Sequence, residues 1–323
     1  MFHTALLCMA AVTATAATKT PLPAAPRSAP VSPVLGASTF VAEDCLFLHG
    51  LGVEGNATDA FFLGVAYWLD LKNKAKQLCK RTHFPIFDTV TRGAGSKSLQ
   101  DDFFNLASKY QGPNDRVFAH SMGNVILARA CVDQSKCLER GWFQAHGPLT
   151  GTVMANLLLE WCPPNGKGWP EKLGGFVADL IGYCTTATYS LQTCDMPGNE
   201  VVCGTSDLIS VGRMTRHGVM CGTSGWGVLS IVSPLLATLD EAFFAPRHAS
   251  PDDGMVSLSS CTAGFDAWTK STGTNVSFGN DPAGRFYVAE TNHADGMGFD
   301  NGLTQTKKPV LWFENMIKQG WQA

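Results

Sequence analysis

The sequence predicts an α/β fold: a mostly parallel central sheet flanked by helices, with a disulfide-rich cap inserted over it. Three observations predict it. Short apolar runs rich in β-formers alternate with segments of helical period from residue 41 to about 145. The rhythm then stops across about 152–217, a stretch carrying Cys162, Cys184, Cys194 and Cys203 among glycines and apolar helical pieces. It resumes near Gly218 and closes near Ala289. Strands alternating with helices of this length imply right-handed crossovers between parallel neighbours.

In order, residues 1–17 read as an export signal. Ala5 to Ala17 is a short apolar run, and Ala14-Thr15-Ala16 offers the small residues a signal peptidase needs. The run falls short of the roughly 20 residues that span a bilayer. Residues 18–40 place Pro21, Pro23, Pro26, Pro30 and Pro33 among Ala, Ser and Thr, a linker or pro-segment unable to bury a core. The folded domain is expected over 41–323. Val41 to Leu48 reads as a buried strand stopping at His49-Gly50. Ala60 to Lys80, with Phe61, Val65, Trp68 and Leu71 at helical spacing, predicts a helix, and Phe84 to Val90 a second strand. Ser98 to Tyr110 predicts a helix, Arg116 to Ala119 a short strand, Asn124 to Val132 a helix, and Trp142 to Ala145 a strand. After the cap, Gly218 to Cys221 and Arg285 to Ala289 read as the last strands.

Composition narrows the function classes. Apolar residues make up 45% and charged residues 16%, a balance that suits a packed globular domain and not a disordered chain. The net charge of -3 gives no broad basic field, so nucleic acid is not an expected partner. The cluster Lys72, Lys74, Lys76, Lys80 and Arg81 fits a solvated helix face better than a phosphate or membrane patch. No segment is long and apolar enough to span a membrane; Trp226 to Leu239 is too short and is interrupted by Pro234. Cys8 leaves with the signal, and an even set of cysteines remains, which predicts disulfides in an exported protein. Cys131 and Cys137 are close enough to close a small loop, but the other pairings stay open. With no C-x-x-C pair and no accompanying histidines, structural zinc is not expected. Asn56-Ala57-Thr58 and Asn275-Val276-Ser277 are N-glycosylation acceptors that fit an extracellular destination.

The chemistry centres on Ala119-His120-Ser121-Met122-Gly123, between a strand and a helix. A serine hydroxyl is a weak nucleophile unless it is exposed, deprotonated by a neighbour and faced by oxyanion donors. A sharp strand-to-helix turn exposes it, and small residues two before and two after avoid a collision. Ala119 and Gly123 meet that need, although a Ser at a helix N-cap is the plain alternative. Upstream, His49-Gly50-Leu51-Gly52 ends the first strand in a glycine-rich turn that can aim the Leu51 N–H at the substrate oxygen. The Met122 N–H is the second expected donor. The acid and base should follow in the order Ser, Asp, His. Asp252-Asp253-Gly254 offers either acid, with Asp253 preferred, and His293 lies in a loop after the last strand. His146, His217 and His248 precede the acid and do not fit the order as base.

With these motifs the sequence resembles the bacterial triacylglycerol lipases of the α/β-hydrolase superfamily. Leu48-His49-Gly50-Leu51-Gly52 is similar to their oxyanion strand and turn, and Asp252-Asp253-Gly254-Met255-Val256-Ser257 to their acid-bearing segment. Asn292-His293-Ala294-Asp295 is similar to their base-bearing segment, and Gly147-Pro148-Leu149-Thr150-Gly151-Thr152 to the turn after the strand that follows the nucleophile. The resemblance implies an α/β-hydrolase fold and a secreted serine ester hydrolase acting on small-molecule or lipid esters, with possible contact to a lipid interface. No cofactor is expected. Asp295 falls where these lipases hold calcium, but no convincing second carboxylate accompanies it, so calcium is the lesser reading. Thioesterase, amidase or acyltransferase chemistry on the same triad, or a non-catalytic binding protein of this fold, are the alternatives.

Overall fold

The computed structural model describes residues 41–62, 65–160, 184–193, 216–228, 232–239, 251–263, 265, 277–300 and 306–321. The expected signal, the linker and most of the cap, 161–183 and 194–215, lie outside these residues, as does Asn275. Asn56 sits in an exposed turn.

Six strands form one sheet: β1 (Ala42–Leu48), β4 (Cys79–His83), β5 (Arg116–His120), β6 (Trp142–Ala145), β7 (Arg216–Gly222) and β8 (Phe286–Ala289). Their order is β4-β1-β5-β6-β7-β8, and every adjacent pair is parallel. The chain moves outward from β1 to β4, crosses back to β5 and continues to β8. The direction therefore reverses between β1 and β5, and the turns leaving the C-terminal ends of those two strands open a crevice there. They are the turns carrying His49-Gly50-Leu51 and Ser121.

Register explains the core. Phe47 pairs with Phe118, and Phe118 with Phe143, so three rings from adjacent strands line one sheet face. Their centroids stand 5.1 and 5.0 Å apart. Helices α1 (Leu69–Leu78) and α8 (Pro309–Gln319) cover that face with Leu71, Ala75, Trp312, Phe313 and Met316. Alternate residues Leu46, Leu48, Val117 and Ala119 face the other way, onto α2 (Lys97–Ala107) and α3 (Met122–Gln134). The smaller helices are α4 (Val153–Glu160), α5 (Thr186–Tyr189), α6 (Ser233–Leu239) and α7 (Leu258–Cys261).

Two expectations need correction, both around the edge strand. The helix expected over Ala60–Lys80 is only α1; before it, β2 (Phe61–Phe62) and β3 (Val65–Ala66) form a small antiparallel pair. The strand expected over Phe84–Val90 is instead β4, at Cys79–His83. An edge strand pairs on one side only and tolerates polar side chains. Here the Cys45–Cys79 disulfide and the ion pairs Lys80–Glu43 and Arg81–Asp44 stitch it to β1. Those charges read in sequence as a helix end, while the apolar run after them contains Pro85, which cannot donate to a ladder. Lys72 and Lys74 pair with Asp59 and Glu314, so four cations of the basic cluster are matched by acids.

Cys131 is bonded to Cys137, and Cys221 to Cys261; Cys184 is also disulfide-bonded. No helix among the described residues is long and apolar enough to cross a membrane.

Candidate active site

Ser121 occupies the N-cap position of α3, yet its side chain caps nothing. Its backbone is left-handed, at φ 52° and ψ -129°, a conformation costing a non-glycine residue of order 1–3 kcal/mol. That turn is possible because its neighbours are small. A Cβ on Gly123 would stand 2.7 Å from the His49 carbonyl oxygen, and one on Gly50 would stand 2.6 Å from the Ser121 Cβ. The turn after β1 therefore lies directly against the serine. No hydrogen bond among the described residues engages the backbone N–H of Leu51 or of Met122. Met122 is the first residue of α3, where helix N–H groups lack intrahelical partners and the dipole favours negative charge.

The structure brings together three residues that are far apart in sequence. Ser121 Oγ lies 2.9 Å from His293 Nε2, and His293 Nδ1 lies 2.9 Å from Asp253 Oδ2. A carboxylate only accepts, so the His293 proton sits on Nδ1, and Nε2 is left to accept from the serine hydroxyl. Asp252 does not face the histidine: its Oδ1 accepts the Gly254 N–H at 2.8 Å and shapes the turn. Asp253 Oδ1 accepts the N–H groups of Met255 and Val256 at 2.9 and 2.6 Å. The backbone N–H of His293 also donates to the Asp253 carbonyl at 2.9 Å. Burial disfavours charge on Asp253, but the positive charge available on His293 and the imidazole donors outweigh it and hold the carboxyl well below the usual carboxylate range.

Three further polar residues were not singled out as site residues in the sequence. Gly50 N–H donates to Tyr67 Oη at 2.9 Å, Tyr67 O–H donates to His120 Nδ1 at 2.7 Å, and His120 Nε2–H donates to the His293 carbonyl at 3.0 Å. The chain ties the turn after β1 to the loop carrying His293. Burial pushes the His120 imidazole well below its ordinary range, so it stays neutral in this relay. His146 is the third; its Nδ1 lies 2.7 Å from the same Asp253 Oδ2. His49 is structural: it accepts the Phe87 N–H at Nε2, and burial lowers it to about 4. The only sequence signal for His120 and His146 was position, each at the C-terminal end of a sheet strand, where α/β sites collect.

Above Ser121 and His293 opens a cleft of about 360 Å³, a figure that includes open solvent at its mouth. Leu51, Phe62, Pro148, Met154, Leu191, Met255 and Val256 line it, and among the described residues no Asp, Glu, Lys or Arg does. The Thr152 hydroxyl at its wall is turned onto the Met255 carbonyl. The side chains of Leu157, Leu158, Leu159, Trp161 and Phe176, apolar candidates for the cap, lie outside the described ones.

A parallel sheet whose strand order switches beside a strand-to-helix serine turn defines the architecture. The fold is that of an α/β-hydrolase. No family model matches the chain, and no curated protein does. Among solved structures, it is similar to the mature form of the Bacillus licheniformis lipase BlEst2, with 14% identity, TM-score 0.46, and coverage of 88% of this chain and 94% of that one. The Staphylococcus hyicus lipase gives 12% identity and TM-score 0.37 over 88% and 95% of the two chains. The Legionella pneumophila phospholipase PlaB gives 14% and 0.37 over 68% and 45%. Likenesses this distant carry nothing about substrate or activity.

Asp295 Oδ2 accepts the Val228 and Asn292 N–H groups, each at 2.8 Å, and its Oδ1 is buried with no hydrogen-bond partner among the described residues. Burial pushes its carboxyl up to about 7. Among the described residues, no cluster of three or more ligating side chains includes it.

Proposed function

We propose that the protein is a secreted serine hydrolase that cleaves carboxylic esters, with lipid acyl esters as its substrate class, through Ser121, His293 and Asp253. The observation that carries this reading is the relay from Ser121 Oγ through His293 to Asp253, in two 2.9 Å steps at the floor of an apolar cleft. His293 Nε2 takes the serine proton as Oγ attacks the ester carbonyl carbon. Asp253 holds the imidazole by Nδ1 and stabilises its charged form. The unengaged N–H groups of Leu51 and Met122 receive the oxyanion. His293 then gives its proton to the departing alcohol, leaving an acyl-Ser121 ester. Water activated by the same imidazole releases the acid and restores the serine. The apolar lining suits an acyl chain, and the disulfides suit an oxidising, extracellular compartment.

The test is hydrolysis of p-nitrophenyl esters from short to long acyl chains, with Ser121→Ala as the control. We expect that variant to lose at least about 10⁴-fold in kcat. Equal activity in wild type and variant overturns the reading. Faster turnover of thioesters, or transfer to a lipid acceptor, would move it to those chemistries on the same triad. Failure of a reactive phosphonate to label the pure protein would favour a binding role.

A further inference from the structure

We infer that His146 is a positioning residue of this site: its Nδ1–H is a second imidazole donor on the Asp253 oxygen that holds His293, and it sets how firmly that carboxylate supports His293 during turnover. The inference rests on the serine-hydrolase reading above. His146 follows the last residue of β6, and its N–H donates to the Met220 carbonyl on β7 at 2.8 Å. Its φ of 47° is left-handed, a conformation in which non-glycine residues persist only where surrounding structure over-determines it. The ring is fully buried, with centroids 6.0 Å from His120 and 5.8 Å from His293. A Cβ on Gly296 would stand 2.5 Å from its Cδ2, so the ring has no room to swing away.

Its protonation state follows from its partners. Nδ1 faces a carboxylate oxygen at 2.7 Å and must carry the proton. Nε2 is buried with no hydrogen-bond partner among the described residues, so a cation would strand an N–H there. Burial lowers the imidazole's proton affinity, against the pull of Asp253. The titratable groups facing it are Asp253, His293 and His120. His146 is therefore a neutral donor, not a second base. It completes a set of four donors on Asp253: two backbone N–H groups on Oδ1 and two imidazoles on Oδ2. That saturates the carboxylate's lone-pair sites, fixes Oδ2 in place for His293, and leaves less free negative charge to hold an imidazolium. A space-filling core histidine would need neither the left-handed backbone nor the charged partner.

The experiment compares wild type, Ser121→Ala, His146→Ala and His146→Asn, whose amide N–H can replace the lost donor. It measures kcat and KM for p-nitrophenyl butyrate from about pH 5 to 9. We expect His146→Ala to lose about 10- to 100-fold in kcat with KM changed by less than about twofold, the rate equivalent of one hydrogen bond to a charged group. Its acid limb should move to higher pH, because an Asp253 stripped of one donor holds the protonated imidazole more strongly. His146→Asn should recover most of the rate and the position of that limb. Wild-type rates in His146→Ala, or equal losses in both variants with unshifted pH profiles, overturn the inference. Should the variants fail to fold, ¹⁵N-histidine-labelled wild type decides: two low-field Nδ1 protons are expected, and one alone refutes the second donor. If wild type turns over no ester, or Ser121→Ala turns it over equally, the hydrolase reading fails instead, and the two-proton signature still reports whether His146 bonds Asp253.

Discussion

Asp252 and Asp253 are chemically identical neighbours, and what separates them is the direction of a side chain. Asp252 closes its own turn through the Gly254 N–H, whereas Asp253 turns its Oδ2 to His293. Asp253→Asn should therefore lower kcat by about 10⁴-fold, since an amide presents a donor to Nδ1–H or forces the wrong tautomer. Asp252→Asn keeps the oxygen that accepts from Gly254 and should stay within about threefold of wild type. Steady-state rates on one short-chain ester check both, and a loss in Asp252→Asn equal to that of Asp253→Asn would reverse the assignment. The sequence reading preferred the residue before the glycine, and that residue, Asp253, is the one that faces His293. The two imidazoles on one carboxylate were not readable, since His146 precedes Asp253 by 107 residues and meets it only through the sheet.

At the scale of elements, two disulfides join strands to different neighbours and should behave differently. Cys45–Cys79 fastens β4, an edge strand remote from the serine, to β1. Cys221–Cys261 fastens β7 to α7, just beyond the loop that carries Asp253. Loop closures of 34 and 40 residues imply comparable stabilisation, about 4 kcal/mol each. On the proposed function, replacing Cys45 and Cys79 by alanine should lower the denaturation midpoint and leave kcat of the folded protein near wild type. Replacing Cys221 and Cys261 should lower both. Urea melts paired with kinetics at a temperature where both variants are folded separate these outcomes, and equal kcat in the two would break the link between the second bridge and the acid loop. The misplaced second strand belongs to this scale as well. Val41–Leu48 announced itself by burial, but β4 draws its identity from pairing with β1, and pairing leaves no mark in local composition.

For the molecule as a whole, stability against pH is set by buried groups of opposite sign. Burial pushes the Asp295 carboxyl up to about 7 in the folded protein, against 3.8 for a free aspartate. Between those values the folded state keeps a proton that the unfolded chain releases, so this group's contribution falls as pH rises through the window and is flat above it. His49, His120 and His146 are held neutral by burial below 6.5, so their contribution grows as pH rises toward that value. The two trends overlap, and the difference between wild type and Asp295→Asn isolates the carboxyl. That difference should change steadily from about pH 4 to 7 and level off above, as read from urea midpoints. A difference independent of pH would show that Asp295 is ionised throughout that range in the folded protein.

By itself the sequence determined the alternation of strands and helices and the serine turn, and it singled out Asp253 and His293, which the structure brings to Ser121. These are local: small residues flank a tight turn, periodicity marks buried faces, and chain order needs no third dimension. Tertiary structure alone decided where β4 lies, which aspartate faces His293, how Tyr67 and His120 tie the two turns together, and which N–H groups meet Asp295. Each of those depends on groups brought within 3 Å or so from distant parts of the chain. Only the reversal of the sheet between β1 and β5 and the burial beneath it set those distances.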